Sequence, residues 1–224
     1  IASALKRAKK IIAVSQFTKQ DIVSQFRIDP EKIIVTYEGV ANLARGHDSL
    51  FVKKIDAGAA LQKYHIPDKF LLYIGNAYPH KNLEGWLAAF KELHSFYPGL
   101  SMVLVGKSDY FYDRTKDYAA SLGLYDSNNS ASAVVFPGYV PDQELELLYQ
   151  KAQVYVFPSF YEGFGLPPLE AMAKGCPVLS SNRSSLPEIL GEAAWYFDPA
   201  DSTDMVNQVR KVLEDPELRH DLIL

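Results

Sequence analysis

The sequence lacks the features that define several protein classes. Its 224 residues hold one cysteine, Cys176, which excludes a disulfide scaffold or a cysteine-based zinc site and fits a reducing compartment. Uninterrupted apolar runs reach only four to five residues, too few to cross a bilayer, and no secretory leader pattern is present. The five histidines show no metal-ligand spacing. The 48% apolar and 22% charged residues exclude disordered, collagen-like and coiled-coil classes.

Charge is distributed unevenly along the chain. The net charge is −4, yet residues 1–38 carry seven Lys and Arg against four Asp and Glu. The rest of the chain is therefore acidic, at about −7, which argues against nucleic-acid binding because that function requires a basic face. We interpret the basic segment Lys6–Lys10 as a solvated helix face, with contact to an anionic membrane surface as the alternative.

Short apolar runs rich in β-branched residues alternate with longer amphipathic segments, which predicts βαβ units around a parallel sheet. Eight strands are predicted, over Ile11–Val14, Ile33–Tyr37, Phe70–Ile74, Met102–Val105, Ala133–Phe136, Val154–Phe157, Val178–Ser180 and Ala194–Phe197. The spacing of Leu83, Trp86, Leu87, Phe90 and Leu93 predicts one buried helix face. The expected fold class is α/β, a Rossmann-like doubly wound parallel sheet.

A stretch of weak periodicity after residue 38 divides the chain. We interpret residues 1–38 as a strand-helix-strand unit, 39–55 as a linker and 56–224 as a doubly wound domain of six strands, whose sheet need not include the first unit. Thr18 is predicted to open the helix of the first unit and Asp142 to cap a later helix. The length gives about one and a half domains and the first residue is Ile1, so we expect a fragment of a longer protein.

Ligands of open parallel sheets bind beyond the carboxyl ends of the strands, so the loops there are the candidate sites. The loop from Gly75 to Asn82 has a small residue at a strand end and Lys81 at a helix start. The helix dipole disfavours a cation at that position, whereas a bound phosphate would favour it. Taken alone, this loop is equally consistent with a solvated turn. Gly106 ends the next strand, and the aromatic residues after it either wall a base pocket or pack on a helix.

The loop after Val154–Phe157 carries the strongest signal. Gly163 and Gly165 permit a close bend around a ligand. Because prolines lack an N–H, unpaired donors concentrate at a helix start, which predicts an anion site; they are those of Phe164, Gly165, Leu166 and Leu169. Glu162 and Glu170 flank this site. A carboxylate beside a diphosphate is repulsive unless it faces hydroxyls, so a nucleotide sugar accounts for both, whereas a solvated charge and helix-dipole complementarity are the simpler alternatives.

The segment Glu162-Gly-Phe-Gly-Leu-Pro-Pro-Leu-Glu170 resembles the E-x7-E motif of retaining glycosyltransferases of family 4, which have the GT-B fold. Further segments resemble the same family, namely Gly-Asn-(x)4-Lys-Asn at 75–82, Gly-Tyr-Val-Pro at 138–141, Ala-Met-Ala-Lys-Gly-Cys-Pro-Val at 171–178, Ser-Asn-Arg-Ser-Ser-Leu-Pro-Glu at 181–188 and Phe-Asp-Pro at 197–199. The resemblance implies the C-terminal, donor-binding half of a GT-B enzyme, with residues 1–38 as a remnant of its N-terminal acceptor domain.

The resemblance also implies roles for single residues. Glu170 binds the ribose diol, Glu162 holds hydroxyls of the donor sugar, and Lys81 neutralises the leaving diphosphate, so that Glu162 and Lys81 are the catalytic pair. The implied donor-binding set is completed by the backbone amides of Phe164, Gly165 and Leu166 and by Gly75, Asn76, Gly106, Tyr139, Val140 and Gly163, with the base near Val140. Many members have an Arg where this chain has Asn76, which leaves Lys81 with less help and Arg114 or Lys107 as candidate replacements.

The implied activity is retaining transfer of a hexose by front-face substitution, without cofactor or metal, in polysaccharide biosynthesis. A UDP-glucose-type donor is favoured on family frequency, with GDP-mannose as the alternative. The implied acceptor is a glycan or lipid-linked saccharide bound by the missing N-terminal domain, in the cytoplasm or at the inner membrane face. The fragment itself is expected to bind donor with little or no transfer. A non-catalytic nucleotide-sugar-binding module and a sugar-nucleotide 2-epimerase are alternatives of another class.

Overall fold

The computed structural model describes residues 1–40, 57–129 and 131–223. The N-terminal unit, residues 1–38, is built from α1 (Ala2–Arg7), β1 (Ile11–Ala13), α2 (Gln16–Phe26) and β2 (Ile33–Val35). Its two strands pair in parallel and form a sheet of their own. One face of this sheet is buried with α2, whereas Ile12 and Ile34 on the other face are 72% and 50% exposed. The expectation that this unit need not share the larger sheet is therefore confirmed.

The second unit contains a six-stranded parallel sheet. Its strands are β3 (Phe70–Ile74), β4 (Ser101–Val105), β5 (Val134–Gly138), β6 (Val154–Phe157), β7 (Val178–Ser181) and β8 (Trp195–Phe197). Their order is β5-β4-β3-β6-β7-β8, and each adjacent pair is parallel. The chain therefore builds outward from β3 to β5 and then returns to the other side of β3. This reversal defines a topological switch point between β3 and β6.

Helices cover both faces of this sheet, which explains why β3 and β6, and β4 after its first residue Ser101, are continuously apolar rather than alternating. The helices are α3 (Ala57–Lys63), α4 (Leu83–Phe96), α5 (Tyr110–Ser121), α6 (Asp142–Lys151), α7 (Leu166–Ala173), α8 (Leu186–Leu190), α9 (Ser202–Glu214) and α10 (Pro216–Asp221). The predicted apolar face of α4 is buried as expected, and α9 packs against it through an apolar stripe of Met205, Val206, Val209 and Val212. The Rossmann-like α/β fold is confirmed.

Two predicted helix caps were wrong, each by a shift along the chain. Ser15, not Thr18, is the N-cap of α2: its Oγ accepts a hydrogen bond from the Thr18 N–H at 3.0 Å, so that Thr18 lies within the first turn. Asp142 is the first residue of α6 rather than its cap, and Pro141 occupies the cap position. The predicted strand limits differ by at most two residues. The predicted linker at 39–55 lies mostly outside the described residues, so the domain boundaries stay predictions.

Candidate functional site

The switch point brings two predicted loops side by side. The loop after β3 contains a short 3₁₀ turn, Pro79–Lys81, and the loop after β6, residues 158–165, is called here the glycine loop. The Phe160 N–H donates to the His80 carbonyl at 2.8 Å, which ties the two loops together. Ligands of such sheets bind where the strand order reverses, at the carboxyl ends. The fold thus places the Lys81 turn and the glycine loop at the expected ligand position.

Lys81 and Glu162, which are 81 residues apart in sequence, form an ion pair in this position. Lys81 Nζ lies 2.6 Å from Glu162 Oε1, and the two side chains are only 12% and 13% exposed. The same Nζ lies 5.4 Å from the centroid of the Phe157 ring, on the last residue of β6. Partial burial weakens solvent screening, so each charge depends on the other. The structure therefore unites the two residues predicted to be catalytic.

The two glycines of the glycine loop, Gly163 and Gly165, differ in backbone conformation and in the space available for a side chain. Gly165 has φ +113°, and a Cβ there would lie 2.8 Å from Leu186 Cδ2, so this position requires glycine. Gly163 does not have a positive φ, and a Cβ there would make only ordinary contacts. No described residue accepts a hydrogen bond from the N–H groups of Phe164, Gly165 or Leu166. These three donors are available at the start of α7, as the sequence predicted for an anion site.

Glu170 lies on α7 and lines a cavity of about 290 Å³, called here the Glu170 cleft. Its lining residues are Val40, Asp142, Gln143, Leu145, Glu146, Tyr149, Glu170 and Lys174. Burial raises the pKa of the Glu170 carboxyl, and the nearby Asp142 charge raises it further. Lys174 Nζ, on a side chain only 7% exposed, lies 3.0 Å from Glu146 Oε1. Within the described residues, Glu162 and Lys81 do not line this cleft, so the two motif carboxylates occupy separate surroundings.

The Tyr149 hydroxyl is a buried polar group in this cleft. Its oxygen makes no hydrogen bond of good geometry to any described residue, although the Glu170 carboxylate is close enough to interact with it. Burial and the Glu170 charge raise the pKa of Tyr149, so the hydroxyl stays protonated and able to donate. Buried polar groups without partners are uncommon in native proteins and mark positions where a ligand or water completes the bonding.

Gly75, Gly106 and Gly138 lie in a row at the carboxyl ends of β3, β4 and β5. The Gly75 N–H donates to Val105 O at 3.0 Å, and the Gly106 N–H donates to Gly138 O at 3.1 Å. A Cβ on Gly106 would collide with the Gly75 carbonyl and the Tyr112 hydroxyl. These glycines therefore let strand ends approach each other while using their own N–H groups internally. Their contact with a ligand stays a prediction.

The remaining predicted site residues lie around these loops. Asn76 is exposed, and its Oδ1 accepts a 3.3 Å hydrogen bond from the Tyr78 N–H. Tyr139 is 71% exposed, whereas the Val140 side chain is buried, so Val140 can border a base only through its backbone. Arg114 pairs with Glu84 at 2.7 Å, and this contact competes with its proposed role as a replacement cation. Lys107 is exposed in the loop after β4.

Three residues of the site were missed from the sequence. Tyr149 belongs to the amphipathic pattern of α6, Lys174 follows α7, and Ser185 lies just before α8. Tyr149 is a polar group on an amphipathic helix, and Lys174 and Ser185 lie at helix ends, so sequence periodicity assigns them to helix packing, to capping or to solvent. The available signal was position within the family-like segments at 171–178 and 181–188, which contain Lys174 and Ser185.

Two features are absent from the described residues. Among them, no group of three or more His, Cys, Asp and Glu side chains is placed to hold a metal ion. None of the helices in the described ranges combines the length and apolar character that a membrane-spanning segment needs.

Comparisons with known proteins bear on the site. Residues 60–223 match the family described as glycosyl transferases group 1. The chain is 34% identical to the O-antigen chain mannosyltransferase B of Escherichia coli over 221 residues, which cover 96% of this chain and 54% of that protein. It is 33% identical to the serotype-specific mannosyltransferase WbdA of Escherichia coli over 226 residues, 97% of this chain and 26% of that protein.

A solved glycosyltransferase from Rickettsia africae has a similar fold, with a TM-score of 0.80 at 20% identity over 99% of this chain and 60% of that one. The chain thus spans about half the length, or less, of the curated relatives described above.

Proposed function

The chain belongs to the glycosyl transferases group 1 family, and on this premise we propose that it is the donor-binding half of a retaining mannosyltransferase that uses GDP-mannose. Two relatives that align with nearly the whole chain, at 34% and 33% identity, are both named as mannosyltransferases. These names support the GDP-mannose alternative over the UDP-glucose-type donor that the sequence alone favoured. They are the observation that carries the choice of sugar.

The charge of the Glu170 cleft supports a guanosine donor. Among the described residues, three carboxylates line it, those of Asp142, Glu146 and Glu170, and one ammonium group, that of Lys174. A ligand that enters such a cleft must supply hydrogen-bond donors. Guanosine offers the ribose diol together with the N1–H and 2-amino donors of guanine, whereas uracil offers one N–H donor. Guanosine therefore matches the cleft better, with Glu170 on the ribose and Asp142 or Glu146 within reach of the base.

The switch point supports binding of the diphosphate and the sugar. Lys81 and the N–H groups at the start of α7 are positive, and among the described residues neither Lys81 nor this helix start lines the acidic cleft. When donor binds, Lys81 exchanges part of its ion pair with Glu162 for the phosphate oxygens. Glu162, released from that pair, accepts hydrogen bonds from hydroxyls of the mannose.

In the proposed reaction an acceptor hydroxyl attacks the anomeric carbon of mannose from the same face that the diphosphate leaves. The bond between that carbon and the diphosphate oxygen breaks, the electron pair remains on the diphosphate, and a diphosphate oxygen takes the proton of the acceptor hydroxyl. The new glycosidic bond has the configuration of the old one. The part played by this chain is electrostatic, because Lys81 and the α7 amides stabilise the charge that develops on the leaving group.

Titration calorimetry on this chain tests the donor. We expect GDP-mannose and GDP to bind more tightly than UDP-glucose, UDP or ADP, and the Glu170→Gln variant to lose affinity for every nucleotide that carries a ribose. The matched variant Glu162→Gln should weaken GDP-mannose but leave GDP nearly unchanged. Tighter binding of UDP-glucose would overturn the GDP-mannose proposal, and the absence of all nucleotide binding would overturn the site.

Activity measurements separate the alternatives of other classes. The chain is proposed to bind GDP-mannose with little or no transfer, and a full-length relative provides the comparison for activity. Equal turnover by this chain would contradict that expectation.

A 2-epimerase would convert the donor sugar without an acceptor, which chromatography of the nucleotide sugar detects. The proposed acceptor is a glycan or lipid-linked saccharide of an O-antigen-like polysaccharide at the cytoplasmic membrane face.

A further inference from the structure

Three consecutive carbonyl groups of the glycine loop are held by hydroxyl groups. Ser185 Oγ lies 2.9 Å from Glu162 O and 3.1 Å from Phe164 O, so its single hydrogen is shared between two carbonyls. The carbonyl between them, that of Gly163, lies 2.8 Å from Ser15 Oγ and 3.1 Å from Thr18 Oγ1, and both hydroxyls can donate to it; the two hydroxyl oxygens also lie 2.9 Å apart, so the Ser15 hydrogen is shared with Thr18 Oγ1. Two acceptor lone pairs on one carbonyl suit two donors.

The two groups of hydroxyls come from different units of the chain. Ser185 precedes α8 in the larger unit, whereas Ser15 caps α2 and Thr18 lies in its first turn, in the N-terminal unit and 148 and 145 residues from Gly163. Ser15 has no exposed surface. A Cβ at Gly163 would lie 3.7 Å from Thr18 Oγ1, which is an ordinary contact, so the loop backbone lies close to this turn without requiring glycine there.

Several further contacts fix α2 against the glycine loop. The Glu188 carboxylate accepts from the N–H groups of Gln16 and Phe17, at 2.7 and 2.9 Å, and so caps α2 from the larger unit. The Tyr161 hydroxyl donates to Asp21 Oδ2 at 2.6 Å, and its ring makes an edge contact with Phe17. The first turn of α2 is therefore held in a defined position relative to the loop.

A held carbonyl also fixes an N–H group, because the peptide plane is rigid and the two groups point in opposite directions. The hydroxyls of Ser15 and Thr18 orient the peptide between Gly163 and Phe164, and Ser185 orients the peptides on either side. The N–H groups of these peptides, on Gly163, Phe164 and Gly165, have no acceptor among the described residues. They are oriented donors without a partner.

We infer that Ser15 and Thr18 are positioning residues of the donor site: through Gly163 O, the N-terminal unit sets the orientation of the Phe164 amide that the nucleotide sugar uses. This inference rests on the proposed function of the glycine loop. It makes donor affinity depend on the contact between the two units, so that the acceptor side of the enzyme acts on the donor side through two hydroxyl groups. Neither residue needs to contact the donor itself.

The test uses Thr18→Val, which removes the hydroxyl but keeps the shape of the side chain, with Thr18→Ser as the variant that restores the hydroxyl. Ser15 is less suitable because its Oγ also caps α2. Calorimetry on this chain compares GDP-mannose with guanosine monophosphate, which lacks the β-phosphate and the sugar. We expect Thr18→Val to weaken GDP-mannose about three- to tenfold, the scale of one hydrogen bond, and Thr18→Ser to restore it. Binding of guanosine monophosphate should not change.

The outcomes separate this inference from the proposed function. If the unmodified chain fails to bind GDP-mannose, the proposed function fails. If it binds, and Thr18→Val binds GDP-mannose with unchanged affinity, the inference is overturned. Equal weakening of GDP-mannose and guanosine monophosphate would also overturn it, since that result indicates general unfolding rather than loss of an oriented amide. Amide NMR offers a second measurement, in which the Phe164 N–H signal should shift on addition of GDP-mannose to the unmodified chain and shift less in Thr18→Val.

Discussion

The two ends of the segment from Glu162 to Glu170 have opposite electrostatic surroundings. At the first end, Glu162 is paired with Lys81 at 2.6 Å, and three loop carbonyls are held by hydroxyl groups. At the second end, Glu170 lies near Asp142 in a cleft whose described lining holds more carboxylates than cations, and the pKa of Glu170 is raised. The charge of Glu162 is balanced by Lys81, whereas the charge of Glu170 is disfavoured by burial and by Asp142, and we propose that a ligand with hydrogen-bond donors offsets it. The segment therefore has a preorganised end at Glu162 and an end at Glu170 where the ionised carboxylate destabilises the folded chain.

The largest expected effect distinguishes the two glycines of the first end. Gly165→Ala should lower the free energy of unfolding by roughly 2–4 kcal/mol, because it places a side chain at φ +113° and 2.8 Å from Leu186 Cδ2. Gly163→Ala is the matched control, with ordinary contacts, and should cost less than about 1 kcal/mol. Urea unfolding of both variants measures the difference. Equal losses would show that the loop has no rigid glycine position.

Removing one partner of the ion pair is the second test. Lys81→Met leaves the Glu162 carboxylate 13% exposed without a cation and should destabilise the chain by about 1–3 kcal/mol, with loss of GDP-mannose binding. The double variant Lys81→Met with Glu162→Gln should recover most of the stability, because no unpaired charge remains. It should recover none of the binding, because the ammonium group proposed to bind the diphosphate is absent. A double variant no more stable than Lys81→Met would contradict the balanced state of this end.

Glu170→Gln should have opposite effects on stability and binding. Nucleotide affinity should fall by about 1–3 kcal/mol, the scale of hydrogen bonds to a charged group. Stability should rise slightly at pH 7, because the pKa of Glu170 is higher in the folded than in the unfolded chain and its ionisation therefore favours unfolding. This gain should disappear below the unfolded pKa of the carboxyl, where both states are protonated. Thermal melts at pH 7 and pH 3.5 measure it; a loss of stability at pH 7 would contradict the description of this end.

Glu188→Gln tests the contact that fixes α2 against the first end. The variant retains one acceptor oxygen for two backbone N–H groups and should lower stability by about 0.5–1 kcal/mol. GDP-mannose affinity should fall with it, because α2 carries the hydroxyls that orient Gly163. Glu192→Gln, on the turn that follows α8, is the control and should change neither quantity. Chemical unfolding and calorimetry check both.

The smallest expected effect concerns the choice of base at the second end. Asp142→Asn should reduce the preference for GDP over UDP by several-fold, because it removes a carboxylate that favours ligands rich in N–H donors. Gln143→Ala provides a neutral control at the adjacent position. Competition binding with the two nucleotides measures the ratio. An unchanged ratio would assign base selection to another part of the cleft.

The sequence predicted much of this arrangement, and the parts it missed have physical reasons. The two sheets and the helix faces follow from local periodicity, and the E-x7-E segment identified the loop. The cap of α2 was placed at Thr18 instead of Ser15 because Ser15 also fits the preceding strand pattern, and only backbone geometry distinguishes them. The sequence does not single out Tyr149, because a buried aromatic residue on a helix gives the same pattern whether or not its hydroxyl has a partner.

The sequence by itself determined the fold class, the family and the residue types at the switch point, because these depend on patterns among residues that are close together along the chain. Only the tertiary structure decided which charges are paired. Lys81 meets Glu162 because β3 and β6 are neighbours at the strand reversal, and Ser15 and Thr18 meet Gly163 because α2 lies against the glycine loop. Such contacts join residues about 80 to 150 positions apart, and their energy depends on distance and burial, which the order of residues does not specify.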